Sequence, residues 1–147
     1  MTRYFEDFVV GATAESAGRT ITEADIVAFA ALSGDYTQLH TDQEYAARSS
    51  FRRRVAHGAL IFSISTGLAV QMSPRNEALL AFFGIDGLRF VRPVFIGDTV
   101  RVRKRVAETE LKDPRRGLVT FETAVVNQHE QTVVLYHDKV LFQLKPK

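Results

Sequence analysis

An acid and an imidazole stand five residues apart in the segment Gly34-Asp35-Tyr36-Thr37-Gln38-Leu39-His40, and Gly58 of Ala56-His57-Gly58 follows eighteen residues after His40. A carboxylate and an imidazole on what reads as a loop are two groups able to move protons. A glycine that opens an apolar helix offers its backbone N–H, at the positive end of the helix dipole, to an oxygen on which negative charge develops. Together these groups suit hydration of an activated double bond. A water must lose one proton while a carbon gains another, and charge moves onto a carbonyl oxygen meanwhile.

Positioning these groups falls to a helical first half. Thr22-Glu23-Ala24-Asp25 reads as a helix start, with Thr22 as N-cap and Asp25 as the acidic third residue. Ile26, Phe29, Ala30 and Ser33 follow at helical spacing, and Gly34 ends the helix. Residues 35–56 read as loop with a short helix near Gln43–Arg48, which Asp42 would cap. From His57 to Met72 there is no Asp, Glu, Lys or Arg, so this helix belongs in the middle of a core.

After Pro74 the period becomes two. Val100, Val102 and Val106 alternate with Arg101, Arg103 and Arg105, and similar patterns run over 119–125 and 140–144. Gly97-Asp98, 113–117 and 127–131 supply turns between strands. Consecutive antiparallel strands with one buried helix make an α+β layer architecture, most simply a sheet wrapped around that helix.

The bounds agree with a single domain over residues 1–147. A chain of this size buries about 68–70% of its unfolded surface and needs no staples. With no cysteine, thiol catalysis, disulfides and cysteine-ligated metals are excluded. Nineteen basic residues against 17 acidic ones give no sign of a nucleic-acid partner. The N-terminus is too polar for a signal peptide, and no apolar run reaches the roughly 18 residues that span a bilayer. A cytoplasmic protein without a membrane partner is therefore expected.

Residues 31–42, Ala31-Leu32-Ser33-Gly34-Asp35-Tyr36-Thr37-Gln38-Leu39-His40-Thr41-Asp42, resemble the signature of the MaoC-like, R-specific enoyl-CoA hydratases, whose pattern there is Gly-Asp-x-Asn-Pro-Leu-His. Val55-Ala56-His57-Gly58-Ala59-Leu60 resembles a second motif of that family, and Arg92-Pro93-Val94-Phe95-Ile96-Gly97-Asp98 a third. The resemblance implies a hotdog fold, its antiparallel sheet wrapped around the helix at about 57–72, and a homodimer or higher homo-oligomer. It implies a hydro-lyase of fatty acid metabolism that interconverts trans-2-enoyl-CoA and (R)-3-hydroxyacyl-CoA. No cofactor is needed, because coenzyme A is part of the substrate. Asp35 and His40 match the catalytic pair, and Gly58 matches the glycine whose N–H binds the thioester oxygen. Thr66 falls where a family member carries a serine supporting the aspartate; two helical turns beyond Gly58, it is expected to face the same side. Two positions depart from the pattern: Thr37 stands for Asn and Gln38 for Pro.

The remaining candidates have plainer readings. His57 is expected to be structural at the helix start, in support of the site, and His129 and His137 to be surface residues. Arg52, Arg53 and Arg54 are candidates for coenzyme A phosphates, and Arg101, Arg103, Lys104 and Arg105 read as an outward strand face. Leu60, Ile61, Phe62, Leu79, Leu80, Phe82 and Phe83 are core residues, some of which are candidates to line an acyl tunnel. No metal is expected, since no His, Asp or Glu cluster has ligand spacing. Two alternatives stand beside the hydratase: a hotdog acyl-CoA thioesterase, whose usual helix carboxylate is missing from 57–72, and a non-catalytic acyl-CoA-binding domain, suggested by Thr37-Gln38.

Overall fold

The computed structural model describes residues 2–73 and 76–146; Pro74, after which the period of two is expected, lies outside them. Helix α1 spans Glu23–Ser33 and starts at the expected capping box. The Thr22 hydroxyl accepts from the Asp25 N–H at 3.2 Å, and the Asp25 carboxylate accepts from the Thr22 N–H at 2.9 Å. Gly34 ends it at φ +77°, a left-handed position that costs glycine nothing, and donates its N–H to the Ala30 carbonyl. Within the expected loop, a single turn, α2 (Gln38–Thr41), was not foreseen; α3 (Gln43–Arg48) follows, capped by Asp42 as expected. Helix α4 spans Gly58–Gln71.

Six strands form one antiparallel sheet: β1 (Thr13–Glu15), β2 (Arg19–Thr20), β3 (Leu79–Phe90), β4 (Thr99–Asp113), β5 (Arg116–Val126) and β6 (Thr132–Gln143). The order is β1-β4-β5-β6-β3, and β2 also pairs with β4. Ile61, Ile64 and Leu68 of α4 pack on Val100, Val102, Val125, Val134 and Tyr136, so the sheet holds α4 against its inner face. A second cluster joins Phe8, Val106, Val119, Phe121, Val140 and Phe142 where the N-terminal segment crosses the sheet.

Strand β3 escaped the periodic reading because its register with β6 shifts at three places, breaking the strict alternation that marks a strand. It lies at a sheet edge, which corrects the core placement expected for Leu79, Leu80, Phe82 and Phe83: all four are exposed, as is Phe90.

The basic run of β4 divides between the two faces. Arg101 and Arg103 pair outward with Glu15 and Glu130, and Arg105 with Glu122, as surface ion pairs of small worth. Lys104 corrects the expectation of a wholly outward patch. It is in register with Thr123, which faces Tyr136 on β6, and so shares the inner face with them. There it meets Asp138 at 2.5 Å, with side-chain exposures of only 13% and 3%.

Candidate active site

Asp35 follows directly on the glycine that ends α1. Its N–H donates to the Ser33 hydroxyl at 3.1 Å, and that hydroxyl donates to the Phe29 carbonyl at 2.7 Å, so the helix end fixes where the carboxylate starts. The Thr37 hydroxyl and amide both donate to Asp35 Oδ1, at 2.6 and 3.1 Å. The Thr37 hydroxyl foremost, then its amide, hold the carboxyl below the ordinary carboxylate range, and the nearby imidazoles of His57 and His40 act in the same direction. Threonine at this departure from the family pattern therefore grips the carboxylate directly.

His40 rides on α2. Its Nδ1 lies 2.7 Å from the Val55 carbonyl, which can only accept, so Nδ1 carries a proton and, in the neutral ring, the lone pair is on Nε2. His57 is buried and its Nε2 lies 3.0 Å from the Asp35 carbonyl, so Nε2–H donates there. Its ring stacks on His40 at 3.9 Å and 29°, and Phe29 approaches at 4.9 Å. Nδ1 of His57 is buried without a partner among the described residues. His57 thus ties α1, α2 and the start of α4 together, a link that no local spacing could reveal.

The fold brings together one acid and two imidazoles that show no ligand spacing along the sequence. Donor atoms of Asp35, His40 and His57 all lie within 4.8 Å of one another. One nitrogen of each ring is bonded to a backbone carbonyl, which leaves the other nitrogen of each in the cluster with the Asp35 carboxylate.

Gly58 is the first residue of α4, so its N–H has no intrahelical acceptor. A Cβ at this position would lie 2.8 Å from Cδ1 and Cγ of Phe90. Beside it is a cavity of about 420 Å³ whose walls include Leu39, Phe51, Gly58, Phe90 and Arg92.

Other candidates fall elsewhere. Thr66 does not reach Asp35; its hydroxyl donates to the Ser63 carbonyl at 2.7 Å. Eight residues of helix turn it about 80° around the axis from Gly58, which is why two turns did not bring it to the same side. Arg54 pairs with Glu23, and Arg53 lies over the Phe95 ring at 3.8 Å, so two of the three arginines proposed for phosphates are engaged within the chain. Arg52 makes no ion pair among the described residues. His129 is exposed in its turn, and His137 is partly exposed on β6. No helix among the described residues is long and apolar enough to cross a membrane.

Comparison with known proteins gives consistent findings. The family described as "MaoC like domain" matches residues 7–129. The chain is 42% identical to Protein MaoC of Klebsiella aerogenes over 77% of its own length, but spans only 33% of that protein. It is 37% identical to an (R)-specific enoyl-CoA hydratase of Rhodospirillum rubrum over 90% of this chain and 91% of that one. The solved structure of a monoamine oxidase regulatory protein from Archaeoglobus fulgius superimposes with a TM-score of 0.94 at 38% identity, covering 99% of this chain and 97% of that one.

Proposed function

The chain belongs to the MaoC-like domain family, and from that premise we propose that it adds water to trans-2-enoyl-CoA to give (R)-3-hydroxyacyl-CoA, or removes it in reverse. Its sheet wrapped around α4 is a hotdog fold. Curated relatives named as enoyl-CoA hydratases and a 3-hydroxybutyryl-CoA dehydratase make it a hydro-lyase.

The observation that carries the reading is the 2.7 Å contact between His40 Nδ1 and the Val55 carbonyl. With Nδ1–H given to Val55, Nε2 is free to accept a proton in the same cluster as the Asp35 carboxylate. A water held between them attacks C3 as His40 takes its proton. Asp35, kept ionised by Thr37, orients that water and stabilises the imidazolium. Charge passes to the thioester oxygen, where the Gly58 N–H at the start of α4 receives it. His40 returns the proton to C2 from the same side, so hydroxyl and hydrogen add syn and the enzyme ends as it began. Such acid–base action contributes about 10²–10⁴-fold.

The assay follows loss of enoyl-thioester absorbance with crotonyl-CoA and longer enoyl-CoAs. We expect wild-type turnover and a fall of about 10²–10⁴-fold in kcat for Asp35→Asn. A variant that hydrates as fast as wild type would sink the assignment. The thioesterase alternative has little support, since α4 carries no carboxylate.

The working unit in this reading is a homodimer. The exposed apolar side chains of edge strand β3 support it, because an unpaired, apolar sheet edge is a template for a second copy.

A further inference from the structure

Under the C-terminal half of α4 lies a cavity of about 440 Å³, separate from the one beside Gly58. Thr66, Ala69 and Val70 of α4 form one wall, and Phe82, Phe121 and Val140 are among its apolar sheet residues. Into this apolar space the inner face of the sheet presents the buried Lys104–Asp138 pair.

An ion pair there is poorly explained by stability. Apolar residues of similar volume are usually as stable or more so, because burying two charges costs much of what their attraction returns. Its hydrogen bonding is also unfinished. Asp138 accepts from the Thr123 hydroxyl at Oδ1 and from Lys104 at Oδ2. The Lys104 ammonium has three donors; one meets Asp138, and the group lies 4.1 Å over the Phe121 ring, which leaves donor capacity facing the cavity. Next to it, Ser65 gives its hydroxyl proton to the Phe62 carbonyl at 2.6 Å, so the Tyr136 hydroxyl donates to Ser65 at 2.8 Å and its oxygen keeps open lone pairs. Burial pushes the Tyr136 phenol up to about 12, so that proton stays in place. Arg3 and Lys104 against Asp138 leave this lining one positive charge in excess.

Helix α4 joins the two regions. Gly58 opens it, and Thr66 lies about 12 Å further along the axis. A chain that ran along α4 from a thioester held at Gly58 would have to turn about 80° around the helix to bring its far end to this cavity.

We propose that the cavity receives the distal part of the acyl chain and that Lys104 binds a carboxylate there, so that the preferred substrates are enoyl or 3-hydroxyacyl thioesters whose chain ends in a carboxylate. The inference rests on the hydratase reading. An apolar pocket with a few convergent polar groups orients a ligand by those groups. A methyl-ended chain would strip water from the Lys104 ammonium and return no hydrogen bond.

The test compares two trans-2-enoyl-CoAs of equal medium length, one ending in methyl and one in carboxylate, with the full chain, Lys104→Met, and Lys104→Met/Asp138→Leu. The double variant guards against misfolding, because it leaves no unpaired buried charge. Wild type should favour the carboxylate-ended substrate in kcat/KM by about 10- to 100-fold, the worth of a hydrogen bond to a charged group, and both variants should lose that preference. A wild type that favours the methyl-ended chain, or a double variant that keeps the preference for the carboxylate, overturns the proposal. Crotonyl-CoA completes the check of the premise: if wild type hydrates neither it nor either longer substrate, the hydratase reading is what fails. Calorimetric titration with the matching saturated acyl-CoAs then still reads the cavity's preference without turnover.

Discussion

Gly58→Ala tests the close packing at the start of α4. The added Cβ would lie 2.8 Å from the Phe90 ring, where ordinary contact begins at 3.4 Å, so ring and helix must part by about 0.6 Å. The backbone does not resist the change, since Gly58 is not among the glycines with positive φ; the cost is steric. Overpacking costs about 1–3 kcal/mol, and Phe90 is 54% exposed, which lets the ring swing outward and puts the cost at the lower end. At about 1–2 kcal/mol, a chain of this size should lose roughly 2–8 °C in Tm. Shifting the first amide of α4 should also weaken its grip on the thioester oxygen, with kcat down about 10²-fold. Calorimetry and the enoyl-CoA assay read the two effects. Gly58→Ala/Phe90→Val should recover most of the lost Tm relative to the single variant. An unchanged Tm in Gly58→Ala, or a double variant no more stable than the single, would refute the packing argument.

Two further outcomes follow from the geometry. Thr37→Val removes the hydroxyl that does most to depress the Asp35 pKa, so that pKa should rise and the ionised form be lost sooner as pH falls; NMR titration of the Asp35 carboxyl should move to higher pH. A carboxyl titration that stays in place, or moves to lower pH, would mean Thr37 does not tune the carboxylate. Phe83→Lys puts a charge on the exposed edge of β3 and should shift sedimentation toward monomer, whereas a wild type already monomeric at micromolar concentration would refute the dimer.

Much of the fold was legible in the chain because local chemistry encodes it. Thr22, Asp25 and Gly34 spell out both ends of α1, Asp42 caps α3, and sixteen residues without a charge mark α4 as central. Strands β4 to β6 showed themselves through alternation. Strand β3 did not, because its register shifts scramble the period, and β1, β2 and α2 are too short to carry one. Within the site, Asp35, His40 and Gly58 were legible as a motif. The bond from His57 to the Asp35 carbonyl was not, since it joins residues 22 apart through folding alone. Thr66 misled because two turns of helix look like alignment until the residual rotation is counted. Lys104 hid in a run of basic residues, although it occupies the phase that Val100, Val102 and Val106 share.

Asp35, His40, His57 and Gly58 all precede the first long strand, whereas most of the sheet wall of the larger cavity comes from β3 to β6, completed by α4 and the N-terminal segment. Reaction and reach are thus written in different stretches of the chain. Drift in the strands can retune which molecules are accepted while the proton-handling segment stays untouched. For an engineer, the inner positions of β4 to β6 are dials that turn separately from the catalytic switch.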